Sequence, residues 1–329
     1  MTEEHDGSEL CFPQLNTSCR KPTVSWSAAV CLRFMLSSVS VLTVVLNLLV
    51  IISVSHFRQL HKPTNLLLLS LSVSDLLVGL VFMPGEILRK TSCWFLGDLM
   101  CSLYTYVATV AVCASVGNMV LISVDRYIAI CEPLHYPTKV TVGRTKFCIF
   151  LCWLCSNLYR ILSLKDVGFH TANYIPCYGE CVFVIDYTAG VFEVILSFIV
   201  PVTVIIVLHL RVFVVAVSQA RAMRSQIKTV KLQHSVTLTS RKSELKAART
   251  LGVLVFVFLL CFCPYYSVSL AAVNLINTSY GIFVLCLFCC NSCINPLIYA
   301  LFYPWFRRAV KLIITLQILQ PGSSETNIL

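Results

Sequence analysis

Charged side chains are scarce. They make up 12% of the 329 residues, against about a quarter in a soluble globular chain. Hydrophobic residues make up 57%. Apolar stretches long enough to cross the hydrocarbon of a bilayer, about 20 residues each, recur at 30–55, 65–88, 98–124, 146–164, 187–210, 248–274 and 280–302. No large soluble domain remains once these seven are set aside. A phosphate-binding glycine loop is missing, and so is any nucleophile–base constellation, so the chain is not expected to be an enzyme. The first residues, with Glu3, Glu4, Asp6 and Glu9, lack the basic start and short apolar core of a signal peptide. The first span is therefore expected to act as its own insertion signal. No internal repeat of the kind that builds transporters is evident, which counts against a transporter or channel, the alternative from a different functional class.

The few charges that are present are unevenly placed. Lys and Arg favour cytoplasmic loops. With the N-terminus outside, Arg20, Lys21, Arg33, Arg89, Lys90, Arg160 and Lys165 face out. The rest of the 25 Lys and Arg face in, among them Arg58, Lys62, Arg211, the loop from Arg221 to Arg249, Arg307 and Arg308. The net charge of +10 thus reads as a topology signal, with anionic membrane lipid and a partner protein behind it rather than nucleic acid. The expected fold is an all-α membrane protein: a seven-transmembrane helix bundle at 30–303, multi-pass in the plasma membrane. An extracellular segment, 1–29, precedes it. A short amphipathic membrane-surface helix, 304–318, and a cytoplasmic tail, 319–329, follow it. Asn16-Thr17-Ser18 has room for a glycan. Asn277-Thr278-Ser279 hugs the membrane and is expected to stay bare.

Of 18 cysteines, Cys11, Cys19, Cys93, Cys101, Cys177 and Cys181 fall in outer segments. An even number in an oxidising compartment reads as disulfides, with the pairing left open. Cys286, Cys289, Cys290 and Cys293 share a helical face with Cys261 and Cys263 nearby. No His accompanies them, so they read as small packing residues rather than a metal site, and no cofactor is expected.

Polar residues inside the membrane are expensive and mark function by default. Asn47, Asp75, Asp125-Arg126-Tyr127, Trp153, Pro201, Cys261-Phe262-Cys263-Pro264 and Asn295-Pro296-Leu297-Ile298-Tyr299 follow one another, one set per span. Their order resembles the rhodopsin-like class of G-protein-coupled receptors over residues 30–315. Asn291-Ser292-Cys293-Ile294-Asn295-Pro296-Leu297-Ile298-Tyr299-Ala300-Leu301-Phe302-Tyr303-Pro304-Trp305-Phe306-Arg307 is more specific, and resembles the trace amine-associated receptors. The stretches 55–65 and 246–252, and Cys11-Phe12-Pro13 with Asn16, Ser18 and Cys19, look like the same family.

Physical reasoning and resemblance then combine. Asp75 is a carboxylate in mid-membrane and needs a counterion or a proton. Ser115, Asn291, Ser292 and Asn295 offer oxygens, and the resemblance implies a sodium ion there; a protonated Asp75 in a hydrogen-bond network is the alternative. Glu244 lies twenty residues before Pro264, about 30 Å along a helix, level with Arg126. The resemblance implies that Arg126 and Glu244 pair at rest, and that activation swings helix 6 outward to admit a heterotrimeric G protein. Asp125, Tyr127, Pro264, Pro296 and Tyr299 belong to this switch. Phe262 stands where the family usually has Trp. The resemblance also implies disulfides Cys101–Cys181, Cys11–Cys177 and Cys19–Cys93, and an olfactory role through a stimulatory or olfactory G protein with a cAMP rise.

Relatives that bind amines hold the ammonium with an Asp on helix 3, eighteen residues before the Arg of Asp-Arg-Tyr. Here that residue is Ala108, and no acid lies between Asp98 and Asp125. Glu193, eight residues before Pro201 and about 12 Å outward of it, is the candidate replacement for the lost charge. A subset of the family is similar, with an Asp at this place. Glu193 is thus expected to bind a small protonated amine, with Tyr104, Tyr265 and Tyr266 adding cation–π attraction; an internal pair with Arg160 is the alternative. Glu86, about 16 Å outward of Asp75, offers a second anion suited to a diamine, unless it pairs with Arg89. A receptor for a non-amine ligand is the runner-up. An opsin is disfavoured, because the last span has no Lys for a Schiff base.

Overall fold

The structure is a computed structural model that describes residues 9–15, 17–22, 25–170, 177–181, 187–229, 252–268 and 279–328. Asn16 and Glu244 lie outside the described residues, as do 248–251 and 269–274 of the expected sixth span. The chain forms α1 (Trp26–His56), α2 (Pro63–Thr91), α3 (Gly97–Cys131), α4 (Val142–His170), α5 (Tyr187–Val194, Ile195–Ile199 and Val200–Thr229 in continuous succession), α6 (Gly252–Val268), α7 (Ser279–Phe302) and α8 (Pro304–Ile314). Among the described residues, six of these are long and apolar enough to cross a bilayer, and the described part of α6 is apolar too.

α1 to α5 run past the apolar stretches that announced them, because those stretches mark only the hydrocarbon crossing. α1 begins at Trp26, four residues before the expected start, where the Ser25 hydroxyl accepts the Ala28 amide as an N-cap. α8 ends at Ile314 and not at Ile318. Leu316 adopts φ 57°, which breaks the helical hydrogen bonding, and Gln317–Leu319 continues as a separate 3-10 turn. Along α8, Trp305, Phe306 and Ala309 are buried while Arg307, Arg308 and Lys311 are exposed, so the helix is amphipathic as expected.

Two prolines set the shape of α2 and α5. Pro84 and Pro201 have no amide hydrogen, so the carbonyls four residues earlier, on Leu80 and Ser197, lose their partners. Each gap falls inside a π-helical turn, Val78–Phe82 and Ile195–Ile199, which re-aims the side chains beyond it. At the first turn, Ser40 of α1 donates its hydroxyl to the Gly79 carbonyl at 2.7 Å.

α3 runs through the centre, against α2, α4 and α5, while α1 packs on α2 and α7. The outer faces of α1, α4 and α5 carry exposed Phe34, Val41, Phe147, Phe150, Ile199 and Phe213. So many large apolar side chains facing outward suit lipid, not water. Crossing hydrogen bonds tie the helices: Asn47 Nδ2 to the Ser292 carbonyl at 2.9 Å, Trp153 Nε1 to Ser70 Oγ at 3.0 Å, and Tyr106 Oη to Asn157 Oδ1 at 2.6 Å.

Three disulfides close one end of the bundle. Cys101 at the start of α3 is bonded to Cys181. The other two pairings differ from those the resemblance implied: Cys11 is bonded to Cys93 and Cys19 to Cys177. The backbone decides this. The Cys19 amide donates to the Tyr178 carbonyl at 2.9 Å and the Tyr178 amide to the Thr17 carbonyl at 2.8 Å, which sets Cys19 beside Cys177. One residue on, the Trp94 amide donates to the Gly179 carbonyl at 2.8 Å, which brings Cys93 to the place where Cys11 packs. Gly179 has φ +106°, and a Cβ on it would meet the Cys11 Cβ at 2.9 Å. Only glycine meets both demands.

Candidate functional site

The interior next to the disulfide end gathers the expected ligand-binding side chains. Tyr265 and Tyr266 stand edge to face with ring centres 5.6 Å apart. Tyr265 lies within electrostatic reach of both Glu86 and Glu193, and Tyr266 of Glu193 and Cys113. Glu193, half-buried on α5, thus lies within electrostatic reach of groups on α4 and α6. Arg160 of α4, itself buried, is its charged neighbour. Ala108 is buried on α3 and adds no charge. Below the tyrosines, Phe262 stacks on Phe258 at 4.3 Å and leans on Phe288 at 4.7 Å, while Phe198 stacks on Tyr266 at 4.1 Å. The aromatic column joins α5, α6 and α7, with Phe262 at its centre.

Glu86 is placed differently from the free second anion that the sequence allowed. It is buried and bound on three sides: Arg89 Nε at 3.0 Å, Arg89 Nη2 at 2.8 Å and the Tyr104 hydroxyl at 2.7 Å. The three-residue spacing on one helix makes the ion pair local, and Tyr104 commits its hydroxyl to it. Both side chains line the interior, but as a closed ion pair.

The second cluster lies in the middle of the bundle. Asp75 is fully buried and accepts from Ser115 Oγ at 3.3 Å, Ser292 Oγ at 2.9 Å and Asn295 Nδ2 at 2.8 Å. Asn291 and Asn118 are buried close by in sequence register, and neither side-chain amide has a hydrogen-bond partner among the described residues. Tyr299 is buried one turn beyond Asn295. Pro296 lies inside α7 and Pro264 inside α6.

The third cluster closes the far end of the bundle. Asp125 receives Arg126 Nε at 2.9 Å, Thr64 Oγ1 at 3.0 Å and the Tyr136 hydroxyl at 2.9 Å. Thr64 and Tyr136 escaped the sequence reading. Thr64 sits in a stretch that carried a family resemblance, but Tyr136 lies in the turn Tyr136–Lys139 between α3 and α4, where spacing says nothing of contact. Burial, together with the Asp125 carboxylate, pushes the Tyr136 phenol above its ordinary range, so it stays protonated and serves as a donor. Tyr127 follows Arg126 on α3.

The family described as 7 transmembrane receptor (rhodopsin family) matches residues 46–299. Trace amine-associated receptor 13c of Danio rerio is 36% identical over 337 residues, covering 99% of this chain and 98% of the relative. Trace amine-associated receptor 6 of Homo sapiens is 39% identical over 332 residues, 97% of this chain and 95% of the relative. Trace amine-associated receptor 7b of Mus musculus is 38% identical over 332 residues, 98% and 92%.

Proposed function

The chain belongs to the trace amine-associated receptors, within the rhodopsin family of seven-transmembrane receptors, and on that premise we propose that it binds a small protonated amine at Glu193. A small-molecule ligand and coupling to a G protein come with the family. The residue, the ligand's valence and the type of G protein are our reading. What carries it is the place of Glu193: a carboxylate within electrostatic reach of Tyr265 and Tyr266 on a bundle whose α3 has Ala108 and no acid from residue 99 to residue 124. A half-buried anion wants a cation, and the aromatic faces beside it favour one.

Arg160 competes for the same carboxylate. In the proposed cycle the ammonium takes over part of the Glu193 charge that Arg160 holds at rest, and the gain falls on the aromatic column around Phe262. Because Arg89 already neutralises Glu86 and Tyr104 is hydrogen-bonded to it, a ligand with one ammonium is favoured; a diamine would have to displace Arg89. The non-amine alternative remains tied to one observation, the nearness of Arg160 to Glu193. The test is a pair of substitutions. Glu193→Gln should weaken amine-evoked cAMP by about tenfold or more in potency, the loss of one charge-assisted hydrogen bond. Arg160→Gln should leave potency equal or improve it. Unchanged potency in Glu193→Gln, at equal surface expression, would reject amine binding at this residue.

The remaining parts follow the same order. The N-terminal segment is proposed to lie outside the plasma membrane, with Asn16 glycosylated, and the 304–318 and 319–329 segments inside. Asp75, Ser115, Asn291, Ser292 and Asn295 fit a sodium ion: all can offer oxygens, the preferred ligands of hard cations, and the Asn291 amide has no other partner among the described residues. The ion would neutralise the Asp75 carboxylate between α2, α3 and α7 and so favour the resting arrangement. Asp125 would hold Arg126 in that arrangement, with Glu244 as its second partner. Release of Arg126 would then admit a stimulatory or olfactory G protein and raise cAMP.

A further inference from the structure

A cavity of about 480 Å3 lies on the outside of the bundle, between α3, α4 and α5. It is a hollow made by small side chains. Cys148, Cys152, Cys155 and Ser156 face it from α4, and Gly117 from α3. At its floor the two helices touch: a Cβ on Gly117 would meet the Cys152 thiol at 2.5 Å. Its mouth opens on the lipid-facing surface, where Cys148, Cys155 and Leu196 are exposed. The volume falls within the range of sites that hold one small molecule, and no charged side chain lines it.

Its polarity is ordered along the membrane normal. Ser156, Tyr159 and Ser197 lie at the end nearer the disulfides, and Leu121, Val120 and Cys148 at the other. From Cys148 to Tyr159 the helix rises roughly 16 Å, and Tyr159 stands roughly 26 Å above Val142. In a hydrocarbon layer of about 30 Å, hydroxyl groups therefore gather at the depth where one leaflet's polar boundary begins, and the apolar part runs toward the midplane. That is the profile of a rigid lipid alcohol lying parallel to the chains of that leaflet. A phospholipid acyl chain would set methylenes against the hydroxyls. A rigid body also loses less freedom on binding than a flexible chain.

One wall connects to the amine site. Leu196 and Ser197 belong to the π-helical turn Ile195–Ile199, a form that inserts one residue into a helix and has an α-helical alternative. The Ser197 and Tyr266 hydroxyls lie close together. The next residue, Phe198, stacks on Tyr266. Anything pressed against this wall bears on the turn and on the aromatic column together.

We propose that the hollow between α3, α4 and α5 is a second ligand site, that it takes a membrane sterol with its hydroxyl toward Tyr159 and Ser197, and that its occupancy tunes the amine response. The tuning rests on the amine reading; the binding does not.

The test uses the full chain in nanodiscs of one phospholipid, with and without cholesterol. A lipid-soluble maleimide modifies exposed thiols, and mass spectrometry follows Cys155 against Cys31, an exposed thiol on α1 that reports general effects on the bilayer. Cholesterol should slow Cys155 relative to Cys31 by about fivefold or more, and shift the amine concentration for half-maximal G-protein activation by a similar factor, the low end of a coupling between sites. Cys155→Phe, which fills the mouth, should abolish the shift while keeping the sterol-free amine response. An unchanged ratio of Cys155 to Cys31 would overturn the site, and so would a shift that survives Cys155→Phe. Protection without a shift would overturn the tuning. If no disc responds to amines, the amine reading fails while the thiol ratio still decides the site.

Discussion

Tyr104 on α3 donates its hydroxyl to Glu86 on α2 at 2.7 Å, and Arg89 clasps the same carboxylate from three residues further along. The arrangement joins two helices around an anion that has no charge left to offer. Breaking a buried pair from one side leaves an uncompensated charge and costs about 3–5 kcal/mol. Arg89→Met should therefore lower the melting temperature of the purified receptor far more than Glu86→Gln, which leaves Arg89 with water to reach. Glu86→Gln should also leave monoamine potency unaltered. A selective loss of diamine responses in Glu86→Gln would return Glu86 to the ligand site.

At the opposite end, Asp125 has three donors, and one of them, Tyr136, comes from a loop turn outside the helices. The phenol helps to keep Asp125 in place as the partner of Arg126. Tyr136→Phe removes one hydrogen bond to a charged group, worth about 1.5–3 kcal/mol, from the arrangement that shields Arg126. Ligand-independent cAMP at matched surface expression should rise. A basal level equal to that of the unaltered receptor would mean that Arg126 is not restrained through Tyr136.

How much of this was legible in the sequence depended on the kind of signal. Asp75, Ser115, Asn291, Ser292 and Asn295 could be grouped in advance because three helices must share one buried charge, and few polar side chains stood at that depth; of these, Asn291 makes no hydrogen bond to Asp75. Glu193 stood out for another reason, that α3 has Ala108 where amine-binding relatives hold an acid. Glu86 was harder. Its distance from Asp75 gave its depth, but whether it turned to Arg89 or to the cavity depended on a rotamer and on Tyr104 across the helix boundary, which spacing does not encode. The cysteine pairing failed for a similar reason. Cys11–Cys93 and Cys19–Cys177 follow from backbone hydrogen bonds around Tyr178 and Gly179, and nothing in the order of cysteines fixes those. The end of α8 was misjudged because an apolar Leu316 gives no warning of a left-handed backbone.

The observed pairing has a direct chemical consequence. Removing one cysteine should free its actual partner and no other. Cys11→Ser should expose a modifiable thiol at Cys93 and leave Cys177 unreactive, and Cys11→Ser with Cys93→Ser should be no less stable than either alone. Each disulfide is worth about 2–5 kcal/mol in a small closed unit, so the loss should be visible in surface expression. A free thiol at Cys177 in Cys11→Ser would restore the pairing implied by the family resemblance.

The C-terminal residues also have a place. Ile328 is 1% exposed and belongs to the main apolar core. The segment leading to it is pinned beside α1, with Ser323 Oγ 2.9 Å from His56 Nε2 and the Glu325 carbonyl accepting from Gln59 at 3.3 Å. The Arg58–Glu325 pair is exposed on both sides and adds little. Burial of the Ile328 side chain, worth roughly 1.5–3 kcal/mol, is thus the larger part of what holds the tail down. Ile328→Asp should release it, and a protease added to the inner face should then cut between Leu316 and Glu325 several times faster, since opening by about 1.4 kcal/mol corresponds to tenfold in population when cleavage is slow. Glu325→Gln should leave the rate where it was. Equal cleavage in Ile328→Asp would mean that the polar contacts to His56 and Gln59 hold the tail without the apolar anchor.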